Sequence, residues 1–114
     1  MLGSGVAGSS VALAAADAGA SVALVAKDRL GETNTYYAQG GVAAVLAPED
    51  SFAAHVADTL EVGCGIGEAG TVERVVRGGP SGIQRLIDYG ARFDQRGDGS
   101  LDLSREGGHS QSRV

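Results

Sequence analysis

Residues 3–8 read Gly3-Ser4-Gly5-Val6-Ala7-Gly8, a G-x-G-x-x-G spacing that opens directly onto an alanine-rich run. In a strand-to-helix turn of this kind Gly3 allows the tight bend, Gly5 leaves the backbone bare for a pyrophosphate, and Gly8 lets the helix lie close to its strand. N–H groups at the helix start, with their partial positive charge, then face the phosphates. Glycine-rich turns are common, so the residues that follow decide what this one means.

Val6 to Ala18 is rich in Ala and Val with one late charge, Asp17, which suits a helix buried between a sheet and another layer and closed by Gly19. Ser21 to Ala26 is a short apolar run with β-branched residues, the expected second parallel strand. Strand, turn, helix and strand in this order make one right-handed βαβ unit. The expected fold class is therefore α/β, Rossmann-like, with a mostly parallel sheet. An NAD-binding unit carries Asp or Glu about 20 residues beyond the glycines, on the ribose hydroxyl. The position assigned to that acid is Ala26, followed by Lys27 and then Asp28. This weakens the ordinary NAD reading. Lys27 either meets phosphate or ribose oxygens or is a solvated strand-end lysine.

A net charge of -5 argues against nonspecific nucleic-acid binding and favours a small-molecule ligand. The single Cys64 excludes an internal disulfide, shows no metal-ligand spacing and fits a reducing compartment, read here as the cytoplasm. Its expected place is the core, as a small apolar residue. No apolar stretch reaches the roughly 20 residues of a membrane span. Only Met1 and Leu2 precede the glycines, where a first strand needs about five residues. The expectation is that residues 1–114 are a partial domain whose first strand is truncated and whose remainder lies in a longer protein.

Residues 31–47 form the least helix-like segment. Asn34-Thr35-Tyr36-Tyr37-Ala38-Gln39-Gly40-Gly41 offers hydroxyls, amides and bare backbone that can follow a ligand surface. Pro48-Glu49-Asp50-Ser51 reads as a helix start, with Phe52, Val56 and Leu60 on one face and His55 and Asp58 beside them. Gly63 to Gly67 ends that helix. Thr71 to Arg77 and Ser81 to Tyr89 read as two short helices broken by Gly78-Gly79-Pro80. Residues 92–103 read as a hairpin turning at Asp98-Gly99. Ser104-Arg105-Glu106-Gly107-Gly108-His109-Ser110, with Arg113 behind it, gathers two cations, a carboxylate and an imidazole around a Gly-Gly bend. Such a group suits a small zwitterion, with carboxylate to Arg and ammonium to Glu; the plainer alternative is a solvated hairpin exit.

Together, Gly3 to Gly8, the Tyr37-Ala38-Gln39-Gly40-Gly41 run and Arg105-Glu106-Gly107-Gly108-His109-Ser110 resemble the N-terminal part of the succinate dehydrogenase and fumarate reductase flavoproteins. Asp50-Ser51, His55-Val56 and Asp58-Thr59-Leu60 fit the same pattern, and the Arg105 to Ser110 motif is similar to that of the L-aspartate oxidase branch. The resemblance implies FAD as cofactor. Ser4, Gly5, Val6 and Ala7 would hold its pyrophosphate, with Gly3 and Gly8 in the same cofactor-binding turn, and Lys27 would lie near the adenosine. Asn34, Thr35, Tyr36, Tyr37, Ala38, Gln39, Gly40 and Gly41 would line the flavin and its ribityl chain. Members with covalent flavin carry His where this chain has Asn34, so the implied FAD is non-covalent. Glu106 matches the carboxylate that faces the substrate amino group, the catalytic-site residue this chain supplies. Ser104 replaces a more usual Thr. The implied reaction is oxidation of L-aspartate to iminoaspartate, with electrons to oxygen or fumarate. It feeds NAD biosynthesis, with a quinolinate synthase as pathway partner, and the remaining catalytic residues lie beyond Val114. A fumarate- or succinate-type flavoprotein and a non-catalytic nucleotide-binding remnant stay as alternatives, and Ala26 disfavours an NAD-dependent dehydrogenase.

Overall fold

The computed structural model describes residues 1–38 and 41–113, and the chain divides into two compact units, Met1–Gly40 and Gly41–Val114.

In the first unit, Leu2 and Val25 form a parallel bridge, held by Gly3 N–H donating to Val25 O at 2.8 Å and Val25 N–H donating to Met1 O at 2.9 Å. The expected strand pairing exists, but in minimal form. Among the described residues this is the only parallel bridge, so a mostly parallel sheet is not what these residues display. The physical reason is that two short segments satisfy only a few backbone groups between them, and a ladder needs further strands. Between the paired segments, α1 (Val6–Asp17) runs 12 residues and ends as Gly19 takes φ +84. It contains no buried residue, and Val6, Val11 and Leu13 are all exposed. The expectation of a helix sandwiched between layers is therefore not met. Its apolar residues surround the whole axis, and none of them is buried among the described residues. The segment read as least helical contains one helical turn, α2 (Asn34–Tyr37). The turn is capped by Thr33, whose hydroxyl accepts from Tyr36 N–H at 3.1 Å, a local signal outweighed in the string by the polarity of the segment.

In the second unit, α3 (Phe52–Val62) starts where expected, with Ser51 Oγ accepting from Ala54 N–H at 3.1 Å. Residues 69–88 form one continuous helix, α4 (Ala69–Asp88), capped by Glu68, whose carboxylate accepts from the Gly70 and Thr71 N–H groups. The expected break at Gly78-Gly79-Pro80 does not occur. Proline removes one hydrogen bond and crowds the carbonyl four residues back. Packing outweighs that penalty, because Val76 and Ile83, seven residues apart on one face, are both buried and Gly79 lies against Ala44. α3 and α4 pack on each other, and Ala44, Val76 and Ile83 are the buried apolar residues among those described. The hairpin turns as expected, with an antiparallel bridge between Gln95 and Leu101 and Gly99 at φ +84. Cys64, expected in the core, is exposed. It sits in the turn after α3 with φ 48, a left-handed conformation that takes it out of the helix register.

Candidate functional site

The glycine turn is built by the parallel bridge on one side and the start of α1 on the other. Gly3 takes φ +96, which favours glycine, and a Cβ on Gly8 would collide with the Gly3 carbonyl oxygen. Both glycines are thus required by the turn itself. Gly5 occupies the N-cap position and offers no side-chain acceptor. Val6 N–H donates instead to Thr35 Oγ1 at 3.1 Å. That bond joins the two segments singled out as cofactor-binding, 29 residues apart, within one unit. The Ala7 and Gly8 N–H groups have no acceptor among the described residues, and α1 carries no acidic residue in its first turn. Unsatisfied donors at a helix start suit an anionic group.

A cleft of about 570 Å³ opens at this turn, lined by Gly3, Ser4 and Gly5 on one side and Ala26, Lys27 and Asp28 on the other. An adjoining cleft of about 430 Å³ is lined by Lys27, Asp28, Glu32, Thr33, Asn34 and Tyr37. The structure thereby brings Gly3, Ser4, Gly5, Lys27, Asn34 and Tyr37 onto two adjoining surfaces. Val6 and Thr35 are hydrogen-bonded to each other at the same end of α1. The bare backbone at Gly3 and Gly5, the open donors and the lysine across the cleft fit a pyrophosphate-bearing dinucleotide such as FAD. Tyr36 and Tyr37 are exposed and meet edge to face at 5.3 Å, and Ala38 follows them in extended backbone. Tyr37 Oη donates to Glu32 Oε2 at 2.7 Å, and the carboxylate raises the phenol above its ordinary range. Gln39 and Gly40 lie outside the described residues, and Gly41 is the first residue of the second unit. Glu32, which lines both clefts, was missed by the sequence reading. It stands six residues beyond Ala26 at the strand end, and no spacing rule marks it.

Glu106 belongs to the second unit. Its turn is closed by His109 N–H donating to Glu106 O at 3.1 Å and by Arg105 Nε donating to His109 O at 2.8 Å. The Glu106 carboxylate is exposed, with Ser104 Oγ at 3.4 Å as its side-chain partner. Behind it lies a charged cluster that sequence reasoning did not assemble. Arg113, fully buried, donates from Nε and one terminal nitrogen to the two Asp50 oxygens at 2.7 and 2.8 Å, and from the other to Asp58 Oδ2 at 2.6 Å. Ser110 donates to the same Asp58 oxygen through both N–H and Oγ, each at 2.8 Å. The Ser110 amide and the guanidinium hold Asp58 far below the usual carboxylate range, and the guanidinium lowers Asp50 likewise. Arg113 is thus committed to two aspartates, and Arg105 Nε to the turn's own backbone. Of the two cations expected near a substrate carboxylate, Arg113 is therefore buried on the two aspartates, while Arg105 is exposed. Neighbouring His55 is buried, and its ring meets that of His109 at 5.8 Å; neither Nδ1 has a partner among the described residues. Burial, followed by the charge of Arg113, lowers the His55 imidazole below its ordinary range.

These features define a dinucleotide-binding α/β unit followed by a helical unit that presents a carboxylate on a braced turn. The family model described as FAD binding domain matches residues 1–114, and the chain belongs to that family, with FAD as its cofactor. The chain is 49% identical to the chloroplastic L-aspartate oxidase of Arabidopsis thaliana and 44% identical to the L-aspartate oxidase of Streptomyces coelicolor. Both matches cover 100% of this chain but only 17% and 20% of those proteins. The chain therefore spans about a fifth of the length of the relatives it matches. Among solved structures, an E. coli quinol fumarate reductase FrdA carrying an E245Q mutation superposes with a TM-score of 0.92 at 36% identity, covering 99% of this chain and 20% of that one. Mycobacterium smegmatis Sdh1 in complex with UQ1 gives 0.90 at 32% identity, covering 99% and 19%. Among the described residues, no helix is long and apolar enough to cross a membrane.

Proposed function

We propose that residues 1–114 are the N-terminal part of an FAD-dependent L-aspartate oxidase, holding part of its FAD-binding domain. The observation that carries the cofactor half of this reading is the Val6–Thr35 hydrogen bond, which holds the glycine turn and the Asn34 segment together beside one cleft. Identities of 43–49% to L-aspartate oxidases over the whole chain support the choice of reaction. In the longer protein, the Leu2–Val25 pairing becomes the start of a mostly parallel sheet.

When bound, FAD accepts the two electrons released as the substrate amine becomes an imine. The chain's own groups divide the remaining work. Ala7 and Gly8 N–H groups, with Lys27 opposite, hold the pyrophosphate and adenosine side. The 34–41 segment lines the flavin, and Asn34, which offers no imidazole, leaves the flavin non-covalent. Glu106 accepts hydrogen bonds from the substrate ammonium, the feature that separates L-aspartate from a plain dicarboxylate. The product feeds NAD biosynthesis through a quinolinate synthase type of step. The free, exposed Cys64 is consistent with a reducing compartment such as the cytoplasm.

The test is expression of the complete reading frame: a yellow protein that oxidises L-aspartate is expected, and a colourless protein, or one active on succinate alone, overturns the reading. Glu106→Gln in that protein is expected to weaken aspartate oxidation on the order of tenfold or more while fumarate reduction changes little, since it removes one charge-assisted hydrogen bond. Equal losses favour the second reading, a fumarate- or succinate-type flavoprotein, which the fumarate reductase and Sdh1 superpositions support.

A further inference from the structure

Glu106 stands at the tip of a loop whose base is closed by Arg113 N–H donating to Ser104 O at 2.8 Å. Among the described residues, the Glu106 side chain has the long Ser104 Oγ contact at 3.4 Å as its hydrogen bond, too weak to fix where the carboxylate stands. Its place is set from behind. Ser110 donates twice to Asp58 on α3, and the buried Arg113 bridges Asp58 to Asp50 just before α3. Gly108, at φ +84, passes so close to the end of α3 that a Cβ there would meet Val62 Cγ2 at 2.5 Å.

Desolvating a guanidinium and two carboxylates costs several kcal/mol per ion, and apolar side chains of similar volume would hold a loop on a helix at less cost. A directional network does something that apolar packing does not. Five charge-assisted hydrogen bonds between named atoms select one register of the loop along α3, and a slip by one residue would strand a buried charge.

We infer that Asp58, acting through Ser110 and Arg113, is a positioning residue that fixes the Glu106 carboxylate for recognition of a substrate ammonium group. The inference rests on the reading of Glu106 given above. It assigns Asp58 no contact with substrate or flavin.

In the full-length holoenzyme, Asp58→Asn keeps the side-chain volume and removes the charge. The expected result is a KM for L-aspartate raised about tenfold, with the KM for fumarate and the flavin content within about twofold of wild type, because only the ammonium-bearing substrate uses Glu106. A purely structural role would move both substrates together, and that outcome, or no change in either, overturns the inference. Should Asp58→Asn fail to fold, Ser110→Ala leaves the backbone donor to Asp58 in place; it is expected to give the same selective rise at about threefold, with the same outcomes overturning the inference. Glu106→Gln, assayed alongside, separates the two claims. If it is selective against L-aspartate and the Asp58 and Ser110 variants are not, the positioning role alone falls. If Glu106→Gln shows no selectivity, the reading of Glu106 falls and the inference goes with it.

Discussion

Gly8 and Thr35 do different work at the same turn. Gly8 is a steric requirement, since any Cβ there runs into the Gly3 carbonyl, whereas Thr35 is a hydrogen-bond acceptor that Val6 N–H uses in place of a conventional cap. Their substitutions should therefore fail in distinguishable ways. In the full-length protein, Gly8→Ala is expected to abolish flavin retention, because backbone rather than a flexible side chain must move. Thr35→Val, of similar volume, is expected to weaken FAD affinity about fivefold, the worth of one net hydrogen bond. Fluorescence titration of the apoprotein with FAD checks both, and equal affinities for Gly8→Ala and wild type would contradict the steric argument. The glycine offsets announced the first of these residues. Nothing in the string pairs Thr35 with Val6, because a bond across 29 residues depends on where α2 starts.

α4 shows how an element outlives a local breaker. Gly78, Gly79 and Pro80 each disfavour helix, yet the helix continues because Val76 and Ile83 are buried on one face of it. The two glycines differ in what surrounds them. A Cβ at Gly78 meets nothing within 4 Å, while one at Gly79 meets Ala44 Cβ at 3.3 Å. Gly78→Ala is expected to stabilise the full-length protein by about 0.5–1 kcal/mol by reducing unfolded-state entropy. Gly79→Ala gains the same entropy but forces α4 against Ala44, and should show no net gain. Denaturant midpoints measure the difference, and identical gains would mean that the Ala44 contact does not constrain the helix. Local propensity alone reads this segment as two helices, since it holds no information about Ala44.

At the scale of the whole molecule, the buried charges of the second unit set how stability responds to acid. Asp50 and Asp58 titrate below their ordinary 3.8 when folded, so the stability they contribute is full above that value and is lost as pH falls through their folded values. His55 titrates below its ordinary 6.5, so the unfolded chain takes up its proton first, and stability declines as pH falls from about 6.5. Both effects have the same sign. The thermal midpoint of the full-length protein is expected to fall in two stages, from about pH 6.5 downward and again below about pH 4. His55→Gln should remove the contribution of His55 to the first stage, leaving those of other groups. A wild type and variant that decline in parallel between pH 7 and 5 would show that His55 is not held neutral. Arg113, whose guanidinium the two aspartates hold above its ordinary range, stays charged throughout.

The amino-acid string by itself determined the glycine turn, α1 with its Gly19 stop, the start of α3 and the hairpin turn, because each depends on backbone conformations and caps within a few residues of one another. It also carried the three spaced motifs by which the chain resembles flavin-binding proteins, because those are read from residue type and spacing alone. The tertiary structure alone decided that α4 runs unbroken, that Arg113 is committed to Asp50 and Asp58 rather than left for a substrate, and that Cys64 faces outward. Those outcomes turn on which distant groups share a buried space, where an unpaired charge or a lost contact outweighs any local preference.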